Sequence, residues 1–330
     1  MSDSDEIHDE DAIVQTFLRP LARTWPGAFD LMDDCAILRP APGQELVVKT
    51  DPIRAGVHCF ADDAPQDLAW KALAVNVSDI ASKGARPLAY TLALSFPNAP
   101  TRRWMSEFSD GLRYAQDAFG CVLIGGDIDR AAGPLSIAVT LFGEVPHDKM
   151  LRRTNPRIGD QVYVTGSLGA AAVGLQVRES IAAGGTVRSH RAALARYFRP
   201  EPRLGMRAAL RACATAAMDI SDGIARDLGR MCSAGRCSAV IELAALPVAP
   251  SVREFAVGDP ELQFQLTTAG DDYEILCTVP ESDARQFRAL AKAGGVPVTA
   301  IGCIEVGSGV WFVDASNNKV DWLAGGYSHF

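Results

Sequence analysis

The sequence predicts an α+β fold in two lobes, and three observations support this prediction. Segments with the apolar patterns of strands and helices do not alternate strictly, as they would in a doubly wound parallel sheet. A polar, basic stretch with two prolines, 146–160, interrupts these segments near the middle of the chain. The length of 330 residues and the hydrophobic content of 48% suffice for two domains with real cores. We therefore expect an N-terminal lobe at 1–148 and a C-terminal lobe at 149–330.

The N-terminal lobe is predicted to contain a sheet and two helices. A helix at about 66–84 is apolar almost all round, which indicates burial against the sheet. A second helix at 102–119 stops at Gly120, a residue type that commonly ends helices. Residues 1–12 are acidic, lack the pattern of a signal peptide and are expected to be disordered. Strands are predicted at 45–50, 87–96, 121–124 and 135–145, and the C-terminal lobe opens with another at 161–165.

Charge and composition exclude several classes of protein. The formal net charge of −8 argues against a surface that neutralises nucleic-acid phosphates. Apolar runs fall short of the roughly 20 residues of a membrane helix, so we expect a cytoplasmic protein without membrane or nucleic-acid partners. The eight cysteines are scattered without a C-x-x-C pair, which argues against a zinc site.

Carboxylates recur at the edges of segments that otherwise have the pattern of buried elements. A buried, unpaired carboxylate costs several kcal/mol, so such groups normally face a cation or a hydrogen-bond donor. Oxygen ligands without cysteine or histidine neighbours favour Mg²⁺ or Ca²⁺ over zinc, and the spacing does not fit an EF-hand. The stretches are 32-MDDCA-36, 48-VKTDP-52, 75-VNVSDI-80, 123-LIGGDIDR-130, 218-MDISDG-223 and 269-AGDDYE-274.

Familiar nucleotide-binding motifs are absent from the sequence. It contains no P-loop pattern, no G-x-G-x-x-G after a strand and no protein-kinase signature. The turn Gly166–Gly169 between a strand and a helix offers backbone N–H groups to a phosphate. An ordinary strand–helix turn is at least as good an interpretation of that segment.

The acidic stretches, in this order and at these intervals, resemble the thiamine-monophosphate kinases of the aminoimidazole-ribonucleotide-synthetase-like superfamily. The resemblance covers about residues 30 to 330. One such motif would be weak evidence, but nine in register are specific. They are 33-DDCA-36, 50-TD-51, Gly56 with His58, 70-WKALAVNVSDIASKGA-85, 125-GGD-127, 152-RRTNPRIGD-160, 219-DISDG-223, 270-GDDYE-274 and 326-GYSHF-330.

This resemblance implies a fold and an activity. The fold would be two-lobed and PurM-like, with N-terminal sheets paired around a barrel in a homodimer, a C-terminal α/β lobe and active sites in the clefts. The activity would be ATP- and Mg²⁺-dependent phosphorylation of thiamine phosphate to thiamine diphosphate, the last step of thiamine diphosphate biosynthesis. The partners would be ATP and thiamine phosphate, with several Mg²⁺ ions as cofactors.

The resemblance also implies roles for particular residues. Catalysis would involve Asp127, Asp219 and Asp222. Mg²⁺ would be held by Asp34, Asp51, Asp79, Asp127, Asp219 and Asp222, with Thr50 assisting. ATP would contact Gly126, Asp127, Arg153 and Ser221, and the thiamine substrate would contact His58, Asp271 and Tyr327.

The chemistry of the substrates agrees with these roles. A phosphate monoester is largely dianionic near neutral pH because its second pKa is about 6, so it needs little help from a general base. The difficulty is to bring this dianion onto ATP, and bridging Mg²⁺ ions remove that repulsion during in-line transfer. The thiazolium cation of the substrate would suit the ring face of Tyr327, or that of Trp322.

The chain departs from the family pattern at three positions. Met32 stands where a glycine usually precedes the paired aspartates, so the 31–34 turn is expected to differ. Lys49 replaces a hydroxyl residue; its ammonium cannot ligate Mg²⁺, which reduces the expected number of ions by one. Asp271 replaces a glutamate and is one methylene shorter.

Other functions remain open from the sequence. One is another ATP-dependent enzyme of the superfamily, such as a selenophosphate or aminoimidazole ribonucleotide synthetase. The hydrogenase-maturation relative is disfavoured because it acts through a C-terminal cysteine, whereas this chain ends in YSHF. A second is a catalytically silent protein that binds nucleotide and divalent metal. A third is a metal-dependent phosphohydrolase.

Overall fold

A computed structural model of the chain describes residues 5–185 and 190–320. The chain divides into two compact units, each with its own sheet. The N-terminal unit comprises the described parts of Met1–Ile80 and Ala85–Asp148, and the C-terminal unit comprises those of Ala81–Gly84 and Lys149–Phe330.

The N-terminal unit combines a four-stranded mixed sheet with helices. Its strands follow the order β1-β4-β2-β3; β4 pairs antiparallel with β1 and β2, and β2 pairs parallel with β3. The elements are α1 (Glu10–Ile13), a π-helical segment (Val14–Leu18), α2 (Arg19–Ala22), β1 (Gln44–Arg54), α3 (Pro65–Ser82), β2 (Arg86–Phe96), α4 (Arg102–Phe119), β3 (Val122–Arg130) and β4 (Ser136–Pro146).

Helix α4 has the signals of a helix at both ends. The side chain of Thr101 accepts the backbone N–H of Trp104 at the start, which satisfies one of the free amides of the first turn. Gly120 ends the helix in the left-handed conformation, with φ of 70°, as the sequence predicted. This helix connects β2 to β3, and a crossover of that length permits their parallel pairing.

Helix α3 is buried on nearly every side, as its apolar sequence predicted. Leu73, Val77 and Ile80 have no exposed surface. The Cγ2 atom of Ile80 lies so close to Gly143 in β4 that a Cβ there would meet it at 2.7 Å. The helix therefore packs directly on the sheet.

The described part of the acidic N-terminal stretch, from residue 5, contacts the rest of the N-terminal unit. Ile7 is buried and donates its backbone N–H to the carbonyl of Pro100. Asp9 caps α1 by accepting the N–H of Asp11. Ile7 and Ile13 are both buried, and their burial anchors this part of the chain.

The C-terminal unit is built on a six-stranded mixed sheet in the order β10-β7-β9-β5-β8-β6. Strands β7 and β10 pair in parallel, and the other pairs are antiparallel, so the predicted α+β class is confirmed. The elements are β5 (Gln161–Thr165), α5 (Ala170–Ala182), α6 (Arg191–Phe198), α7 (Arg207–Cys213), β6 (Ala216–Asp219), α8 (Ile224–Gly235), β7 (Ser238–Glu242), α9 (Pro250–Phe255), α10 (Pro260–Thr268), β8 (Ile275–Val279), α11 (Ala284–Ala293), β9 (Val298–Glu305) and β10 (Gly309–Val313).

No helix within residues 5–185 and 190–320 is long and apolar enough to span a membrane.

Candidate functional site

The register of the N-terminal sheet assigns its predicted site residues to two faces. Asp51 pairs with Val139, which pairs with Leu92, and these share the face on which the buried apolar side chains lie. Asp127 pairs with Ala93, one position further along β2, and therefore lies on the opposite face. The two aspartates thus belong to different surroundings in this unit.

The face that carries Asp127 borders a cavity of about 770 Å³. Asp34, Gly126 and Asp127 all line it, so the structure brings together three residues that were predicted to bind metal or ATP. The remaining wall includes α1 and its π-helical continuation, together with Thr91 and Thr140 of the sheet. The volume is that of an ordinary small-molecule site.

The 31–34 turn enters this cavity without a glycine. Met32 has φ of −102°, an ordinary value for any L residue, so the missing glycine is not needed for a left-handed backbone there. The positive φ values fall just upstream, on Phe29, Asp30 and Leu31. The amide of Gln15 donates to the sulfur of Met32 over 3.2 Å, which joins the turn to the N-terminal helical segment.

Gly126 has a structural reason to be glycine. A Cβ on this residue would lie 1.9 Å from the carbonyl oxygen of Leu92 in the neighbouring strand. The strands can approach this closely only without a side chain, and Asp127 follows directly. The close approach at Gly126 thereby fixes the backbone position from which the Asp127 side chain extends.

On the other face, Lys49 joins two of the predicted metal ligands. Its Nζ lies 2.9 Å from Oδ2 of Asp51 in β1 and 2.8 Å from Oδ2 of Asp79 in α3. Burial works against the charged lysine, but the charges and hydrogen bonds of Asp79 and Asp51 outweigh it and raise the Lys49 pKa above its ordinary value. The ammonium is therefore a permanent cation between these carboxylates.

Thr50 and His58 have partners within the N-terminal unit. The Thr50 hydroxyl donates to the carbonyl of Val139 over 3.0 Å and lies 2.9 Å from the Thr140 hydroxyl. His58 Nδ1 accepts the backbone N–H of Arg54 over 3.1 Å, which identifies Nδ1 as the unprotonated ring nitrogen when His58 is neutral. In that neutral form, Nε2 carries the ring N–H.

In the C-terminal unit, the loop 219–223 is held by a carboxylate that the sequence analysis missed. Asp227, fully buried in α8, accepts the backbone N–H groups of Ser221 and Asp222 through Oδ2, over 3.0 and 2.9 Å. Burial is the main reason that its pKa is raised to about 6. Asp227 occupies the apolar stripe Ile224–Leu228–Met231, and a charge in such a stripe is the signal that would have identified it.

Arg230 connects that buried carboxylate to a predicted metal ligand. Its Nη1 lies 2.9 Å from Oδ1 of Asp227 and its Nη2 lies 2.6 Å from Oδ2 of Asp222. Asp227 therefore sets the backbone of the loop, while Arg230 sets the direction of the Asp222 carboxylate.

The stretch 270–274 lies against the same loop. Asp271, with φ of 62°, donates its backbone N–H to the carbonyl of Ser221 over 2.8 Å. A Cβ on Gly270 would meet that carbonyl at 2.6 Å, so this glycine permits the close approach. The structure thus brings a predicted substrate residue, Asp271, beside a predicted ATP residue, Ser221.

Glu274 anchors this stretch in the core. Its side chain is 2% exposed and accepts hydrogen bonds from Arg203 Nε and from the Thr165 hydroxyl, each over 2.6 Å. Arg203 Nη2 also contacts Oε1. A buried carboxylate with this guanidinium partner is compensated and structural.

Two carboxylates lie against the turn Gly166–Gly169, which the sequence offers as a phosphate site. Asp272 Oδ1 accepts the N–H of Gly169 over 2.8 Å, and the Glu274 carboxylate lies where a Cβ of Gly166 would be, 2.0 Å from it. Burial raises the Asp272 pKa well above its usual range. A phosphate would meet acidic side chains here, so the ordinary strand–helix turn is the better interpretation.

The remaining predicted residues lie at the surface or outside the described ranges. Arg153 is exposed in the segment after β4. Tyr327 and Trp322 fall outside residues 5–185 and 190–320. Within the described part of each unit, no three of the predicted carboxylates lie close enough together to hold one metal ion. Glu45, His147 and Asp148 do form such a group of three, which the sequence did not suggest.

The carboxylates of the candidate site differ in how well they fit Mg²⁺ as ligands. Asp34 and Asp127, exposed at the cavity, offer hard carboxylate oxygens that fit the ion. In the C-terminal unit, Asp219 at the end of β6 offers the same donors, and Asp222 offers Oδ1, because its Oδ2 contacts Arg230 over 2.6 Å. The pair Asp51 and Asp79 fits poorly, because the Lys49 ammonium lies between the two carboxylates, at the position that an ion shared by them would take.

Comparison with known proteins supports the family resemblance that the acidic stretches of the sequence indicate. Two family models match the chain: AIR synthase related protein, N-terminal domain, over residues 32–145, and AIR synthase related protein, C-terminal domain, over residues 157–313. These domains define the two-lobed PurM-like fold predicted from the sequence.

Individual relatives narrow the class. The thiamine-monophosphate kinase of Caulobacter vibrioides is 36% identical, over 94% of this chain and 90% of its own length. The crystal structure of thiamine-monophosphate kinase from Stenotrophomonas maltophilia K279a superposes with a TM-score of 0.79, at 36% identity over 89% of this chain and 90% of that one. AaThiL complexed with AMPPCP and TMP superposes with a TM-score of 0.77, at 27% identity over 90% of this chain and 91% of that one. The chain belongs to the thiamine-monophosphate kinase family.

Proposed function

We propose that this chain phosphorylates thiamine phosphate to thiamine diphosphate with ATP and Mg²⁺, the last step of thiamine diphosphate biosynthesis. The observation that carries this proposal is the likeness to thiamine-monophosphate kinases over nearly the whole chain, with 36% identity to the Caulobacter vibrioides protein over 94% of it. The solved AaThiL complex contains AMPPCP and TMP, an ATP analogue and a monophosphate. The residues that carry the family resemblance are present here, apart from the substitutions at Met32, Lys49 and Asp271.

Two sets of carboxylates are the proposed Mg²⁺ ligands. The first is Asp34 and Asp127, which line the cavity of the N-terminal unit. The second is Asp219 and Asp222, of which Asp222 is directed by Arg230. When bound, Mg²⁺ would neutralise the phosphate oxygens and stabilise charge in the transferring phosphoryl group.

The chain's own residues would bind and orient the two substrates. Gly126 is proposed to admit ATP close to the backbone, and Arg153 and Ser221 to contact it. His58 and Asp271 are proposed to hold the thiamine substrate, with Asp271 as counter-charge to the thiazolium. Tyr327 is proposed as an aromatic face for the same cation, a contact worth about 0.5–2 kcal/mol.

The transfer itself needs no general base in this proposal. An oxygen of the dianionic thiamine phosphate attacks the γ-phosphorus of ATP, the bond to the β,γ-bridging oxygen breaks, and ADP leaves. Asp127, Asp219 and Asp222 would act by positioning charge and not by accepting a proton.

We also propose that the protein is a homodimer. Leu46 and Val48 lie on the face of β1 opposite Asp51, and they are 38% and 58% exposed. Exposed β-branched and leucine side chains on an open sheet face favour pairing with a second sheet. Sedimentation analysis of the purified protein, compared with a Val48→Lys variant, tests this contact.

Product analysis tests the proposed reaction. Purified protein is mixed with ATP, Mg²⁺ and thiamine phosphate, beside a control without acceptor. Thiamine diphosphate with an equal amount of ADP is the expected result. ADP with free phosphate would select the phosphohydrolase, absence of ADP despite ATP binding would select the silent binder, and turnover of another acceptor only would select a different synthetase.

A further inference from the structure

Lys49 holds two carboxylates from different elements in one ion-pair group. The Nζ contacts to Asp51 and Asp79 differ by only 0.1 Å, at 2.9 and 2.8 Å. The three side chains are partly buried, being 31%, 43% and 25% exposed, so screening by water is reduced. The ammonium therefore bridges β1 and α3 through charge-assisted hydrogen bonds.

The backbone beside this group is fixed independently. Asn76 Oδ1 accepts the N–H of Asp51 over 2.8 Å, and its Nδ2 donates to the Asp51 carbonyl over 3.3 Å. Asn76 is fully buried and also donates to the carbonyl of Ala72 over 3.0 Å. Asp51 is thus attached to α3, the helix that carries Asp79, whether or not a cation lies between the carboxylates.

A cation stabilises this position. Two ionised carboxylates that converge on one point repel each other, and a positive charge between them offsets that repulsion. A divalent ion could bind the same two oxygens only by displacing the ammonium, and the positive charge of the ammonium repels such an ion. Lysine has three donors and no lone pair when charged, so it cannot share the ion as a ligand.

We propose that the Lys49 ammonium is the resident cation of the Asp51–Asp79 pair and takes the place of a divalent ion there. It is a positioning residue: it holds both carboxylates where an ion would otherwise hold them. This inference deepens the proposed Mg²⁺-dependent function and rests on it only in assuming that the protein binds divalent ions elsewhere. The chain then binds one ion fewer than a variant without the ammonium.

Ion counting tests this proposal without turnover. Mn²⁺ bound per chain is measured by electron paramagnetic resonance, with Mn²⁺ alone and with saturating AMPPCP, whose β,γ-methylene bridge prevents transfer. Lys49→Ser is expected to bind one Mn²⁺ more than the wild type, and Lys49→Arg is expected to keep the wild-type count. Equal counts for the wild type and Lys49→Ser would overturn the proposal. Lys292→Ser, which removes an exposed lysine of α11, is the matched control.

A second variant keeps the test decisive if Lys49→Ser fails to fold. Asp79→Asn in the wild-type background is expected to leave the Mn²⁺ count unchanged, because the pair holds lysine and not metal. Loss of one ion in that variant would overturn the proposal. Failure of the proposed kinase activity would appear separately, as absence of thiamine diphosphate in the wild type, and does not change these counts.

A thermal measurement separates this role from simple packing. In EDTA, Lys49→Ser is expected to unfold at a lower temperature than the wild type, and Mn²⁺ is expected to restore much of the difference. Loss of a purely structural contact would lower the unfolding temperature equally with and without Mn²⁺, and that result would overturn the proposal.

Discussion

Asp227 accepts the backbone N–H of Asp222 over 2.9 Å. A buried carboxylate therefore positions the backbone of Asp222, a half-buried acid of the proposed site. The same Oδ2 accepts the N–H of Ser221 over 3.0 Å. The preceding strand β6 ends at Asp219, two residues before the first of these N–H groups. The loop geometry therefore depends on a residue outside the loop.

Replacing Asp227 with asparagine is expected to loosen this loop. The amide keeps one oxygen for the backbone N–H groups but places N–H groups toward Arg230, which has no acceptor. We expect the free energy of unfolding to fall by about 1–3 kcal/mol, the range for a buried charged hydrogen bond. We also expect kcat to fall about tenfold, as for groups that orient a metal-binding side chain without binding the ion themselves. Urea unfolding and steady-state kinetics measure the two effects, with Glu254→Gln, an exposed carboxylate in α9, as control. Full activity with lowered stability would limit Asp227 to a folding role.

Asp127→Asn is expected to reduce turnover while leaving the fold intact. The residue is exposed at the cavity, so loss of its charge should change the free energy of unfolding by no more than about 0.5 kcal/mol. Loss of a group that positions transition-state charge typically costs about 10²–10³-fold in kcat. Asp129→Asn is the matched control, because Asp129 is exposed on the same strand two residues further along. Unchanged kcat at saturating Mg²⁺, or an equal loss in both variants, would remove Asp127 from the site.

Glu274→Gln is expected to be among the most destabilising single changes in the C-terminal unit. The substitution leaves Arg203, which is 15% exposed, without its buried counter-charge. Breaking such a pair costs about 3–5 kcal/mol. Glu201→Gln is the control, because Glu201 contacts the same arginine over 3.4 Å but is 58% exposed, which limits its effect to about 1 kcal/mol. Denaturant midpoints of both variants check this difference, and similar midpoints would show that the Glu274 pair does not stabilise the core.

The sequence predicted the elements well and their ends less well. Strand β5 has the predicted bounds, whereas β1 extends to Arg54 and β3 to Arg130, beyond the apolar runs that predicted them. Polar residues such as Asp51 and Asp127 interrupted those runs, but strand pairing uses backbone groups and continues through them.

The residues of the candidate site were proposed from the sequence, but their arrangement could not be. Residue types and intervals drew attention to Asp51 and Asp127, whereas a one-residue difference in register decides which face each occupies. That register includes bulges near Tyr90 and Pro87, which no local pattern announces. The Lys49 bridge likewise depends on the distance between β1 and α3, a property of packing and not of either segment.

The ion pair of Arg86 and Glu144 provides a prediction about pH. The residues face each other across β2 and β4, with Arg86 Nη2 2.6 Å from Glu144 Oε1, and Ala41 donates its N–H to the same carboxylate. Burial raises the Glu144 pKa, but the hydrogen bonds from Arg86 and Ala41 and the charge of Arg86 outweigh it and lower the pKa overall.

Because the folded-state pKa of Glu144 is lowered, the stabilisation is present above the unfolded-state pKa and is lost as pH falls through the folded-state pKa. Glu144→Gln should therefore reduce the free energy of unfolding by about 1–2 kcal/mol near neutral pH, allowing for the exposure of Arg86, and the difference from wild type should shrink in acid. Urea unfolding across this range tests it beside Glu107→Gln, whose partner Arg103 is 83% exposed; a pH-independent difference would assign the Glu144 effect to packing.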